Sequence, residues 1–153
     1  MGLDFGDKTI GVAISSLNGT VALGLTTLRR TSPEALRPNL KELKKIIQEH
    51  KVTLILLGYP KHLHGEDSPR CTETLAFKAK LERYFKSIPI KLWDERLSTQ
   101  AVTRTFEGNA KKYRQYVDEM AAVYILQGFL DSKSDLEGGV KPQDLKKEKR
   151  YER

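Results

Sequence analysis

The chain predicts an α/β fold, a mixed β-sheet with three leading strands, then alternating helices and strands, flanked by helices. Three observations predict it. Residues 2–6, 10–16 and 21–29 are apolar or β-branched segments separated by glycine- and asparagine-containing turns, a meander of strands. Leu36, Leu40, Leu43, Ile46 and Ile47 then fall at helical spacing with lysines between them. Finally, residues 52–58 form a continuous apolar run of strand length, the pattern of a parallel strand covered on both faces.

Taken in order, the first segment is Gly2-Leu3-Asp4-Phe5-Gly6, a strand with a carboxylate inside it. Asn18-Gly19 marks a hairpin between the second and third strands. Ser32-Pro33 or Arg37-Pro38 starts the first helix, and Pro38 confines its regular part to 38–50. After the strand at 52–58, residues 59–67 read as a loop. Ser68 caps a second helix with Pro69 at its first position, and Phe77, Leu81, Tyr84 and Phe85 form its packing side. A short strand at 88–93 runs into Asp94-Glu95-Arg96. Ser98 or Thr99 caps a helix to about 106, and 108–113 reads as a basic loop. The last helix is expected at 116–131, buried because it is apolar nearly all round between Met120 and Leu126. From Ser132 the composition turns to Lys, Glu and Asp with Gly138-Gly139 and Pro142. The expected organisation is one domain over 1–131 and a charged, mobile tail over 132–153.

Charge narrows the partners. Among 153 residues, 27 Lys and Arg face 20 Asp and Glu, a net charge of +7 that favours a polyanion, most commonly nucleic acid. A single cysteine, Cys71, excludes an internal disulfide or a cysteine-based zinc cluster and suits a reducing cytoplasm. No apolar run is long enough to cross a membrane and no signal peptide opens the chain, so a membrane partner is not expected.

Candidate chemistry comes from carboxylates placed on separate elements. Asp4 sits inside a strand, a costly position for a charge unless something binds it. Asp94 and Glu95 follow the last strand, at the carboxyl end where open α/β sheets hold their sites; neighbours face opposite ways, so only one can join. Asp118 lies in the first turn of the final helix and shares a face with Ala121, Ala122, Ile125 and Phe129. Each has a plainer role: Asp4 capping a turn, Asp94 or Glu95 pairing with Arg96, Asp118 complementing the helix dipole. Gathered within about 5 Å, such carboxylates repel by roughly 3 kcal/mol per pair at an effective dielectric of about 20. Divalent cations relieve that. Hard oxygen donors point to Mg²⁺ or Mn²⁺, and a pair of ions is the usual device for phosphodiester hydrolysis. Around this set, Arg70 at a helix start and Arg96 beside Glu95 are candidate phosphate contacts. Lys8 and the run Lys111, Lys112 and Arg114 beside Tyr113 complete the group, as a phosphate-binding edge or an ordinary solvated surface. His62 and His64 lack a third ligand at metal spacing and read as surface histidines.

These motifs resemble the YqgF family, the Holliday-junction-resolvase-like branch of the RNase H-like fold. The matching blocks are Gly2-Leu3-Asp4-Phe5-Gly6 with Ile10-Gly11-Val12-Ala13, Leu57-Gly58-Tyr59-Pro60 through Gly65 with Pro69-Arg70, Asp94-Glu95-Arg96-Leu97-Ser98-Thr99, and Val117-Asp118-Glu119-Met120-Ala121-Ala122 into Ile125-Leu126-Gln127. Tyr59, His62 and His64 depart from the usual pattern. The resemblance implies an RNase H-like sheet and Asp4, Glu95 and Asp118 as the catalytic, metal-binding set, occupied by two ions of Mg²⁺ or Mn²⁺. It implies a nuclease that processes the 5′ end of precursor 16S rRNA in ribosome biogenesis, on RNA or on a ribosomal precursor particle, as a monomer or weak dimer. A Holliday junction resolvase on branched DNA and a non-catalytic RNA- or ribosome-binding maturation factor are the alternatives. An actin-like ATPase half also opens on Asp-x-Gly, but it needs a second lobe and a second phosphate motif.

Overall fold

The computed structural model describes residues 1–32, 34–60, 69–94 and 110–137, with side chains for all of these except 110–119 and 134–137. Eight elements follow in order: β1 (Gly2–Phe5), β2 (Thr9–Ser15), β3 (Ala22–Arg29), α1 (Arg37–His50), β4 (Ile55–Tyr59), α2 (Pro69–Tyr84), β5 (Ile90–Asp94) and α3 (Ala110–Glu137). The strands form one sheet of order β3-β2-β1-β4-β5. The first three are antiparallel neighbours, and β1, β4 and β5 run parallel. The mixed sheet expected from the meander-then-alternation pattern is therefore observed. The helix expected over 98–106, the capping Ser68 and most of the loop at 59–67 lie outside the described residues.

Strand β1 is central, and all four of its residues are buried. Period-two alternation divides its side chains between two cores. Leu3 and Phe5, opposite Val12 and Ile10, join Ile55 and Leu57 in a core shared with α1 and α2. On that side Leu36, Leu40, Leu43, Ile46 and Ile47 present the predicted stripe, and Phe77, Leu81 and Phe85 present the predicted packing side of the second helix, whereas Tyr84, also expected there, is exposed. The rings of Phe5 and Phe77 stack at 4.1 Å. Gly2 and Asp4, opposite Ala13 and Gly11, face the other way, toward α3. There Ala13, Ala22, Leu56, Ala122, Ile125, Leu126 and Leu130 make the second core.

The largest boundary differences from the sequence expectation are at β4 and α3. Strand β4 begins at Ile55 rather than Val52, because its register partners on β1 and β5 begin opposite Leu56 and Ile55; a strand exists only where a neighbour offers hydrogen bonds. Helix α3 starts at Ala110, so 110–113 are helical rather than loop, and it continues through Glu137, past the boundary expected at 131. Its sequence from Ala110 contains no proline, and its lysines and arginine are good helix formers; the charge that suggested a loop is compatible with a helix surface. Nor is α3 buried all round: Ala122, Ile125, Leu126 and Leu130 are buried, whereas Met120, Ala121, Val123 and Tyr124 are partly exposed. A helix lying across one face of a sheet needs only one buried stripe.

The hairpin between β2 and β3 turns through Gly19 at φ 71°, as the Asn18-Gly19 pair predicts. The Asn18 Oδ1 accepts from the hydroxyls of Ser16 (2.7 Å) and Thr20 (2.8 Å). Gln127 ties the hairpin to α3: its Oε1 accepts from the Ala22 N–H at 2.8 Å, and its Nε2 donates to the Thr20 carbonyl at 3.1 Å.

Candidate active site at the carboxyl edge of the sheet

The parallel strands β1, β4 and β5 all end at one edge, and Asp4 lies there, on the central strand. Its side chain is 7% exposed. Its neighbours in the sheet are glycines: Gly11 is its register partner on β2, and the Leu3–Leu57 pairing sets Gly58 beside it on β4. The positions directly beside Asp4 on both neighbouring strands therefore carry no side chain, which leaves room at its carboxylate, a hard oxygen donor. This suits a Mg²⁺ or Mn²⁺ ligand. Among the described residues no three His, Cys, Asp or Glu side chains converge as a complete metal set.

The other predicted residues distribute unevenly. Glu95 and Arg96 lie outside the described residues. Asp94 ends β5 opposite Tyr59 and is exposed. It shares the parity of Ile90, which packs on the α1–α2 core, while Trp93 packs toward α3. Asp94 is thus on the opposite face from Asp4.

Asp118 belongs to α3, whose described contacts give the backbone its course. A Cβ built on Gly2 would lie 2.9 Å from the Ala122 carbonyl and 2.9 Å from the Leu126 Cβ, so helix and strand nearly touch there. Further along α3, Leu130 reaches the Met1 and Leu54 end of the sheet, so α3 runs opposite to β1. From Gly2 to Asp4 is about 6.6 Å along a strand, and from residue 122 back to 118 is about 6 Å along a helix. The backbone of α3 at 118 is carried to the level of Asp4. Lys111, Lys112 and Arg114 lie on the first turns of the same helix rather than in a loop.

Arg70, predicted at a helix start, is in the first turn of α2, and its Nη2 lies 3.8 Å from Asp4 Oδ1. The Arg70 side chain is 49% exposed. At this separation the interaction is an ion pair rather than a hydrogen bond. Its Coulomb term, about 4 kcal/mol at an effective dielectric of about 20, is largely offset by desolvating the carboxylate. The first turn of α2 is itself anchored to the end of β4: the buried Cys71 thiol donates to the Pro60 carbonyl at 3.0 Å, and the Thr74 hydroxyl donates to the Arg70 carbonyl at 2.9 Å.

Sequence reasoning passed over Arg30. Its guanidinium lies 4.3 Å over the Phe5 ring, on the stack with Phe77, and donates to the Gly6 carbonyl. Its backbone N–H donates to the Lys8 carbonyl at 2.8 Å, and Gly6 N–H closes the turn on the Thr9 carbonyl at 2.9 Å. Arg30 therefore holds the turn that follows Asp4 and carries the exposed Lys8. An arginine at a strand end carries no local signal of such a contact.

A five-stranded mixed sheet, helices on both faces and a buried carboxylate on the central strand define the RNase H-like class of fold. A solved structure described as Thermus thermophilus RuvC in complex with a Holliday junction substrate shares the fold, with a TM-score of 0.58 at 12% identity, over 86% of this chain and 93% of that one. The family RuvX, described as Holliday junction resolvase, matches residues 1–132. A relative from Thermoanaerobacter pseudethanolicus is 45% identical over 88% of this chain and 97% of its own length. One from Myxococcus xanthus is 40% identical over 97% of each chain. Both carry the name "Putative pre-16S rRNA nuclease". The chain belongs to the RuvX family. Among the described residues no helix is long and apolar enough to cross a membrane.

Proposed function

We propose that this protein is a divalent-metal-dependent nuclease that trims precursor 16S rRNA in the cytoplasm, with Asp4, Glu95 and Asp118 as its metal-binding and catalytic carboxylates. The observation that carries the reading is Asp4 itself, a buried carboxylate between two glycines at the carboxyl edge of the sheet. The names of the relatives supply the substrate, and the positive charge agrees with it. Asp94 faces away from Asp4, which favours its sequence neighbour Glu95 as the second carboxylate. The course of α3 favours Asp118 as the third.

Bound Mg²⁺ or Mn²⁺, one ion or two, supplies Lewis acidity and an acidified water. The chain's own residues do the rest. Asp4 fixes the cation position from a strand that packing on both faces keeps rigid, with the following turn held by Arg30. Arg70, Arg96 and Lys8, with Lys111, Lys112 and Arg114 on the first turns of α3, contact phosphates and set the strand's path over the edge.

Cleavage of a precursor 16S rRNA fragment, with a four-way DNA junction in parallel, tests the reading in Mg²⁺ and in Mn²⁺. Wild type is expected to cut the RNA, and Asp4→Asn to lose about 100-fold or more in rate, as for loss of one preorganised charge-stabilising group. Activity that survives Asp4→Asn, or no cleavage with either metal, overturns the nuclease reading in favour of a binding factor. Preferential cutting of the junction moves the substrate to branched DNA.

A further inference from the structure

Arg70 stands where helix electrostatics disfavour a cation. It is in the first turn of α2, at the positive end of the helix dipole, and that turn contains no acidic residue to offset it. The backbone around it is nevertheless pinned. Thr74, 1% exposed, and Cys71, 2% exposed, lock the turn onto itself and onto the end of β4 through the hydrogen bonds to the Arg70 and Pro60 carbonyls. The result of this anchoring is the approach of the guanidinium to Asp4. The pair is lopsided: the Asp4 side chain is nearly enclosed, while the Arg70 side chain is about half exposed at the carboxyl edge.

We infer that Arg70 is a charge-exchange residue, neutralising buried Asp4 until a divalent cation binds and then turning its fork to a phosphate of the nucleic acid. The inference rests on Asp4 being a metal ligand. A cation on the Asp4 carboxylate and a guanidinium 3.8 Å from the same group repel, so the two compete for one charge. Displaced, the guanidinium keeps its planar array of donors, which matches a phosphate bidentately. Its half-exposed position leaves it within reach of a ligand at the sheet edge. Arg70 therefore opposes metal binding and supports nucleic-acid binding, and its removal moves the two affinities in opposite directions. A residue that merely braces α2 would lower both.

The test is Mn²⁺ binding, followed by the electron paramagnetic resonance signal of free Mn²⁺, for the wild type, Arg70→Gln, Arg70→Lys and Asp4→Asn, each checked for folding by circular dichroism. Binding of a short fluorescein-labelled RNA in Ca²⁺ is measured alongside. Arg70→Gln is expected to hold Mn²⁺ about fivefold more tightly, the scale of one partly exposed ion pair, and the RNA about fivefold more weakly. Arg70→Lys keeps the charge and is expected to hold Mn²⁺ as the wild type does. Arg70→Met serves the same comparison if the glutamine variant melts early. Unchanged or weaker Mn²⁺ binding in Arg70→Gln, with Asp4→Asn losing it, overturns the exchange and leaves Asp4 a metal ligand. Absence of Mn²⁺ binding in both wild type and Arg70→Gln overturns the exchange and the metal reading together.

Discussion

Substitution of Gly2 tests how the second wall of the site is set. Gly2→Ala places a methyl 2.9 Å from a backbone oxygen of α3 at Ala122 and 2.9 Å from the Leu126 Cβ. Neither atom is the far end of a flexible side chain. The strand cannot retreat either, since Leu3 on its other face is fully buried against the α1–α2 core. Overpacking of this kind costs about 1–3 kcal/mol. The alanine also stiffens the unfolded chain, which returns about 0.4–1 kcal/mol. The expected net loss is about 1–2 kcal/mol, read as a shift of the urea midpoint at constant slope. Cleavage is expected to suffer more than stability, because α3 is pushed off β1 at 122, one turn from Asp118, and misplacement of about 1 Å can cost on the order of 100-fold. Gly128→Ala is the control: its new methyl meets the Trp93 indole at 3.3 Å, a side chain that can yield, so under about 1 kcal/mol is expected. A neutral or stabilising Gly2→Ala, or a Gly128→Ala that costs as much, would refute the close-approach argument.

The other tests are simpler. Phe77→Ala removes a ring that is 1% exposed and stacked on Phe5, and is expected to cost about 3–5 kcal/mol in urea unfolding. Gln127→Met cuts both ties from α3 to the hairpin, with a loss of about 1–2 kcal/mol and faster hydrogen exchange at the Ala22 amide; unchanged exchange would show that the hairpin stands without them. RNA affinity is expected to fall at least about tenfold between about 50 and 200 mM salt, and insensitivity to salt would contradict a phosphate-dominated contact.

Much of the fold was legible because its signals are local. The apolar and β-branched runs of β1 and β2, the stripe on α1 and the Asn18-Gly19 turn each declare their element within a few residues. The start of α3 was not, because Lys111, Lys112 and Arg114 satisfy a basic loop and a helix surface equally well; helix propensity and continuity with the packed turns beyond decided it. The lower bound of β4 was missed for a different reason. Val52 to Leu54 have strand composition, but a ladder needs partners, and the registers of β1 and β5 begin later.

At the site the division is similar. The sequence by itself determined that Asp4 is an anomaly, because a carboxylate amid buried strand residues is expensive whatever surrounds it. It also set candidate carboxylates on separately expected elements and a net charge of +7. Only the tertiary structure decided the company Asp4 keeps. Strand order and pleat put glycines on either side of it and turned Asp94 to the other face, and α2 brought Arg70 to it from 66 positions away in the chain. Arg30, gripping the following turn, is a long-range contact of the same kind. Such pairings depend on how sheet and helices pack, and no stretch of sequence records them.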